Sequence, residues 1–313
     1  MKLGLAAFAA ASLIAGAAFA QEKPAGMPQD IADMLREIGP AIEVQRTGPA
    51  YTALHTPEPY EDVLLYRDLK YGPHERHLLD IFASPENAGG KPVLVFVHGG
   101  GFTGGTKHGE GSAFYDNISR WAANSGMVGV QITYRLAPEF QFPAGVEDLD
   151  RVVEWLKENA AIYGGDPDKI VLWGHSAGAS HVADYVAAHA EDEEPELAAA
   201  VLMSGFYQLD ADEPSVWASY YGEDSSRYAD MAALPGLVET DVPLLVVDAE
   251  LDLPDANAQA DILVRALEAA GKPVHRVHLP NHTHISEAYA VGTADTSLSD
   301  PLKAFVAEAV SGE

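Results

Sequence analysis

The feature that most constrains this 313-residue chain is a set of short runs that are apolar throughout rather than alternating. They are 92–98 (PVLVFVH), 127–133 (MVGVQIT), 169–173 (KIVLW), 197–204 (LAAAVLMS) and 243–248 (PLLVVD). A strand with one wet face alternates with period two, whereas a strand with no polar side must be covered on both faces. Helical patterns separate most of these runs. Residues 145–160 carry Val146, Leu149, Val152, Val153 and Leu156 on one face, and similar patterns cover about 177–190, 255–270 and 301–310. Strands alternating with helices in this way imply a parallel sheet sandwiched between helices. Candidate strands near 63–67, 77–82 and 274–279 raise the expected number to eight, the first two spaced for a hairpin. Residues 27–39 read as a short amphipathic helix through Ile31, Met34, Leu35 and Ile38. The expected class is therefore α/β, with a mostly parallel eight-stranded sheet and helices on both faces. Residues 205–242, rich in Tyr, Trp and Phe, exceed an ordinary connection and read either as a small lid or as a helix on the sheet edge.

The first twenty residues, MKLGLAAFAAASLIAGAAFA, stand apart from that pattern. Lys2, an apolar stretch from Leu3 and the ending Ala18-Phe19-Ala20 describe a secretory signal cleaved after Ala20, with an uncleaved anchor as the alternative. Residues 1–20 are thus expected to be a signal peptide and 21–313 one α/β domain. The expected location is periplasmic or secreted, with no membrane association in the mature form. The absence of cysteine rules out disulfides, thiolate metal sites and a cysteine nucleophile. Forty-seven acidic residues against 19 basic ones give a formal charge of −28. So acidic a surface repels phosphate backbones, which argues against nucleic-acid partners. The charge is spread along the chain and reads as a solvated surface; its densest cluster, Glu191-Asp192-Glu193-Glu194, falls in a helix-to-strand connection.

Two glycine-rich readings compete after the strongest strand. In VFVHGGGFTGG (95–105), Gly99, Gly101 and Gly104 have the spacing G-x-G-x-x-G of a dinucleotide turn. The same residues spell HGGG from His98, the loop that lends a backbone N–H to an oxyanion hole. A dinucleotide fingerprint needs an acidic residue about 20 positions on, at the end of the next strand. That strand ends Thr133-Tyr134-Arg135, and at least two strands precede the loop. The oxyanion reading is preferred.

Residues 169–178, KIVLWGHSAG, place Gly174-His175-Ser176-Ala177-Gly178 between a strand and a helical pattern. This is the G-x-S-x-G elbow, whose tight turn lifts a serine hydroxyl clear of the backbone. His175 reads as structural, because a neighbouring side chain on a sharp turn points away from the hydroxyl. An orienting acid and a base should follow in the order Ser, Asp/Glu, His. After 243–248, Asp252 is the preferred acid, with Glu250 and Asp248 as alternatives. His275 and His278 fall in the last strand candidate and read as packed or surface residues. His282 and His284 fall in the loop expected after it, and one of them should reach Ser176. A zinc site on His282-x-His284 is the rival reading, set aside because zinc usually takes three or four compactly held ligands.

Taken together these motifs resemble the α/β-hydrolase serine esterases, above all hormone-sensitive-lipase-like and bacterial feruloyl/acetyl-xylan-esterase-like proteins. The resemblance is carried by His98-Gly99-Gly100-Gly101-Phe102, Tyr134-Arg135-Leu136-Ala137-Pro138-Glu139, Phe142-Pro143-Ala144, Glu147-Asp148, Gly164-Gly165-Asp166-Pro167 and Gly174-His175-Ser176-Ala177-Gly178-Ala179. It is dense over 92–190 and looser beyond, where Glu250-Leu251-Asp252 and His284-Ile285-Ser286 carry it. It implies an α/β-hydrolase fold, Ser176 as nucleophile, Asp252 as acid, His284 as base, and the amides of Gly100, Gly101 and Ala177 as the oxyanion hole. His284 is preferred to His282 because an apolar residue and then a small polar one follow it. The implied activity is a secreted serine hydrolase cleaving short-chain acyl or aryl esters, small or polysaccharide-linked, with neither metal nor organic cofactor. An amidase or arylformamidase with the same triad, or a non-catalytic binding protein on this fold, are the alternatives.

Overall fold

The computed structural model describes residues 23–311, apart from residues 87 and 213. The expected signal peptide lies outside the described residues. Eight strands form one sheet: β1 (Leu64–Lys70), β2 (Leu78–Ala83), β3 (Lys91–Val97), β4 (Val128–Thr133), β5 (Gly165–His175), β6 (Ala199–Met203), β7 (Leu244–Leu251) and β8 (His275–Thr283). Their order is β1-β2-β4-β3-β5-β6-β7-β8. The pairs β1–β2 and β2–β4 are antiparallel and every later pair is parallel.

The apolar runs have the two-sided burial that their composition demands. In β3 alternate residues feed opposite cores: Val93, Val95 and Val97 join one cluster, Leu94 and Phe96 the other. The first core is closed by the helices Ala144–Asn159, Ala177–Ala188 and Pro254–Ala269, through residues such as Leu149, Val182 and Leu263. The second is closed by Gln29–Ile38, Asp116–Asn124 and Ser299–Ser311, through Leu35, Ile118 and Leu302. Each buried Leu, Ile, Val or Phe contributes about 1.5–3 kcal/mol of transfer free energy, so these two layers dominate stability.

The segment 205–242 combines both readings given for it. Its helix Leu234–Glu239 presses on the sheet-covering helix, with Gly236 so close that a Cβ there would stand 2.6 Å from Ala187 Cα. Its earlier helix Pro214–Tyr221 instead sets Trp217, Tyr220 and Tyr221 in an aromatic cluster with Phe102 and Ala177. That cluster is a small cap beside the glycine-rich loop.

A buried ion network fixes the antiparallel edge. Asp80 on β2 and Asp116, which opens the helix Asp116–Asn124, are fully buried. Arg67 on β1 bridges them, with Nη1 at 2.7 Å from Asp80 and 2.8 Å from Asp116, and Lys107 Nζ donates to Asp80 at 2.6 Å. Burial alone would raise the Asp116 carboxyl, but the hydrogen bonds and charge of Arg67 outweigh it and hold the group below the ordinary carboxylate range. Its stabilisation is therefore complete above the unfolded carboxylate pKa and lost as pH falls through the lower folded value. Removing the cation strands a buried charge. Arg67→Met is expected to cost about 3 kcal/mol of unfolding free energy at neutral pH. In urea titrations it should also lose less stability than the parent on acidification; an unchanged midpoint and an unchanged acid slope would refute this account.

Candidate active site

Strand register assembles the site. Val97 of β3 pairs with Gly174 of β5, so the residues that follow, His98 and Gly99, run alongside His175 and Ser176. Leu251 of β7 pairs with Thr283 of β8, so the next residues, Asp252 and His284, are neighbours. All four segments leave the same carboxyl edge of the parallel sheet, where ligands approach such folds.

Ser176 sits between β5 and the helix Ala177–Ala188 at φ 56° and ψ −125°, a conformation that costs a non-glycine residue about 1–3 kcal/mol. Packing enforces it. A Cβ on Gly174 would lie 2.4 Å from Ala179 Cα, and one on Gly178 would lie 2.1 Å from the Val97 carbonyl oxygen. The Ser176 amide donates to the Met203 carbonyl on β6 at 2.9 Å. The hydroxyl is then half-buried and faces the β8 loop.

There His284 completes a chain of hydrogen bonds. Ser176 Oγ lies 2.9 Å from His284 Nε2, and His284 Nδ1 lies 2.7 Å from Asp252 Oδ1. With Nδ1–H donating to the carboxylate, Nε2 is left to accept the serine proton. Asp252 is held in turn by the Leu253 amide at 2.6 Å and by its own amide's bond to the Ala249 carbonyl at 3.1 Å. Asp252 and His284 are each 2 % exposed, so the chain lies in a poorly solvated place where its electrostatics are strong.

The glycine-rich loop lies against this chain. A Cβ on Gly99 would stand 2.9 Å from Ser176 Cβ, so only a glycine lets the loop approach the elbow this closely. Gly100 (φ 133°) and Gly101 (φ 58°) turn the exposed tip, which is closed by the Gly104 amide donating to the Gly100 carbonyl at 3.0 Å. Ala177, third of the expected oxyanion donors, opens the helix after Ser176 and is buried. Several residues outside the expected set hold the loop. The His98 ring donates from Nδ1 to the Gly99 carbonyl at 2.6 Å and stacks on Tyr134; burial pushes its pKa down to about 3, so it stays neutral. Arg76 donates to the Tyr134 and Gly105 carbonyls at 2.7 and 3.0 Å. Phe102 stacks on Tyr220 of the cap with ring centres 4.8 Å apart. His98, Phe102 and Tyr134 belong to the motifs quoted from the sequence, which assigned them no role, whereas Arg76 and Tyr220 carry no motif and only their positions in the fold mark them.

The alternatives considered from sequence are placed elsewhere. Asp248 accepts from Arg276 Nε at 2.7 Å and also pairs with His278, while Glu250 accepts the Asn281 amide at 2.7 Å. His282 does not lie in the loop expected for it: β8 continues to Thr283, and the ring bridges Ser286 Oγ and Asp295 Oδ2, both at 3.0 Å. The half-buried His275 meets Phe305 with its ring tilted at 59°, and His278 is exposed.

Comparison with known proteins agrees with this layout. Residues 79–214 match the BD-FAE family model. Over 282 residues the chain is 32% identical to Esterase LipQ of Mycobacterium tuberculosis, an alignment covering 79% of this chain and 63% of that relative. The chain thus spans less than two thirds of the length of LipQ. Among solved structures, Esterase B from Lactobacillus rhamnosis gives a TM-score of 0.68 at 16% identity, over 90% of this chain and 95% of that one. An esterase from the bacterial hormone-sensitive lipase family gives 0.63 at 22% identity, again over 90% and 95%. The chain has the α/β-hydrolase fold. The glycine-rich loop after β3 accordingly holds the place it has in the α/β-hydrolase fold rather than that of a nucleotide-binding turn.

In this fold the contact between Gly99 and the elbow leaves no room for a side chain. Gly99→Ala forces the loop off Ser176, and a displacement near 1 Å at reacting groups costs about 100-fold in rate. Turnover of an ester that the parent hydrolyses should fall by about that factor while the melting temperature moves little; parental turnover in a folded Gly99→Ala protein would mean that the loop plays no part.

Proposed function

We propose that this protein is a serine hydrolase of carboxylic esters, working through an acyl-enzyme on Ser176. The observation that carries the reading is the unbroken chain from Ser176 Oγ to His284 Nε2 and from His284 Nδ1 to Asp252, at 2.9 and 2.7 Å, with the glycine-rich loop against it. Oγ attacks the ester carbonyl carbon while His284 takes its proton. Asp252 keeps the imidazole in the right tautomer and stabilises the imidazolium. The carbonyl oxygen, now negative, is received by the amides of Gly100, Gly101 and Ala177. Losing one such donor typically costs about 2.7–4 kcal/mol. Collapse of the tetrahedral adduct expels the alcohol, which leaves with the proton from His284. Water then repeats the sequence, its proton going to His284, and releases the acid and free Ser176.

The kinship with a protein named Esterase LipQ supports an ester as the substrate. The cap aromatics Trp217, Tyr220 and Tyr221, packed with Phe102 and Ala177, favour short acyl or aryl groups, borne by small molecules or by a polysaccharide. None of these steps calls for a metal or organic cofactor. The Met1–Ala20 sequence supports export to the periplasm or beyond as the setting, and the acidic surface argues against nucleic-acid partners.

A panel of p-nitrophenyl esters, methyl ferulate, acetylated xylan and an N-formyl aromatic amide tests the reading. At least one ester should be the best substrate; faster cleavage of the amide would make the protein an amidase, and no turnover with no fluorophosphonate labelling of Ser176 would make it a binding protein. Ser176→Ala should lower kcat by about four orders of magnitude or more. His284→Ala should be nearly as severe and His282→Ala much milder, and the reverse ranking would exchange their roles. The rate should fall on acidification as imidazole takes up a proton and can no longer act as base. A rate unchanged between pH 5 and 8 would exclude a histidine base.

A further inference from the structure

One buried acid beside the triad has no part in the chemistry above. Glu287, three residues after His284 in the short helix Ser286–Tyr289, is fully buried. Its Oε1 lies 3.3 Å from Nε2 of His175, the residue preceding Ser176. That nitrogen is aimed at the main chain of the base, donating to the His284 carbonyl at 2.8 Å. The two imidazoles lie 4.8 Å apart, inclined at 41°. His175 thus ties the elbow of Ser176 to the backbone of His284, and Glu287 backs that tie from behind.

We propose that Glu287 is a positioning residue for the Ser176–His284 pair, acting as an uncharged carboxylic acid behind His175. The inference rests on the hydrolase reading above. The groups that face Glu287 explain its state. From β7 and the loop after it come the carboxylates of Asp248 and Asp252, from the β6 end the hydroxyls of Ser204 and Tyr207, and from the β5 and β8 ends the rings of His175 and His284. Burial is the largest influence, Asp252 adds like-charge repulsion, and the opposing pull of His284 and Ser204 is smaller, so the carboxyl is pushed well above its ordinary range. His175 is itself held low by burial and supplies no cation. An ionised Glu287 would place a second negative charge beside the imidazole and keep His284 protonated at pH values where it must act as a base. The neutral acid fills the space and supports the tie without that penalty.

His175, His284 and Glu287 also bring potential ligand atoms within 4.8 Å of one another. A metal there is disfavoured by the geometry. The two His284 nitrogens face Asp252 and Ser176, and His175 Nε2 faces a carbonyl, so a cation would have to break the chain that defines the site.

The test compares parent, Glu287→Ala and Glu287→Gln proteins on one p-nitrophenyl ester across pH. Turnover by the parent establishes the hydrolase reading independently; without it that reading fails first, and the positioning role with it. Glu287→Ala should lower kcat about 10- to 100-fold with little change in KM, the effect of losing alignment at the reacting groups. Glu287→Gln, neutral and nearly isosteric, should restore kcat to within about threefold and leave the acid limb of kcat/KM where it stands in the parent. If Glu287 were ionised, the same substitution would remove a nearby anion and move that limb down by about one pH unit or more. The proposal is overturned by that shift, by a Glu287→Ala kcat within twofold of the parent, or by a Glu287→Gln protein as impaired as the alanine variant. Should Glu287→Ala not fold, the Glu287→Gln profile alone decides between the charged and uncharged forms.

Discussion

The interaction on which the rest of the structure depends is parallel strand pairing at the centre of the sheet. Parallel ladders fix which residue emerges beside which at the carboxyl edge, and that edge is where Ser176, His284 and Asp252 meet. The partners Leu251 and Thr283 make Asp252 and His284 adjacent although 31 residues separate them in sequence. The partners Val97 and Gly174 bring the glycine-rich loop to Ser176 in the same way. A slip of one residue in either ladder would turn the following side chain to the opposite face. The two-sided apolar core forbids such a slip, because it would exchange the contents of both buried layers. Packing energy in the core is therefore what specifies distances in the site.

The glycines convert that register into contact. Gly99, Gly174 and Gly178 leave spaces that a single Cβ would fill. The turn they permit holds Ser176 at a positive φ that is unfavourable by itself, and the core that closes over it offsets the strain. On the far side of the loop the cap meets Phe102 through Tyr220, so the rim that would contact a substrate and the loop proposed to receive the oxyanion are packed as one unit. A substrate group that reorders the cap would thereby act on the loop as well.

Much of this was legible in the sequence because it follows from local pattern. All eight strands were expected, five of them from runs apolar throughout, and the elbow and glycine-rich loop from spacings that sterics demand. What escaped did so for physical reasons. The helix Asp116–Asn124 buries Asp116, Asn117 and Ser119 along with Ile118 and Ala122, so polar residues interrupt its apolar period; Arg67 and Gln131 donate to Asp116 and the Asn117 amide donates to two main-chain carbonyls, all remote in sequence. The helix Val44–Thr52 contains Gly48 and Pro49 and is held at its start by the Glu43 side chain, which accepts from two amides. β8 runs past the stretch expected for it, through Pro280 and Asn281, and Asn281 takes a positive φ there. That irregularity separated His282 from the place expected for it. Asp252 is the acid preferred from sequence, and the β7–β8 register, which sequence alone does not give, is what sets it beside His284.

The surroundings of His284 obey a further electrostatic constraint. Asp248, Asp252 and Glu287 all lie close to one another behind the proposed base, and three ionised carboxylates there would hold a proton on it too tightly for that role. The fold deals with each differently. Asp248 is turned toward Arg276 and His278, which face it across the β7–β8 ladder. Glu287 is shut away from water without a cation, which favours its neutral form. Asp252 alone meets the ring, on the nitrogen opposite Ser176. The proposed mechanism asks for one negative charge in contact with its base; three acids stand there, and the placement of one cation and one desolvated pocket decides which of them supplies it.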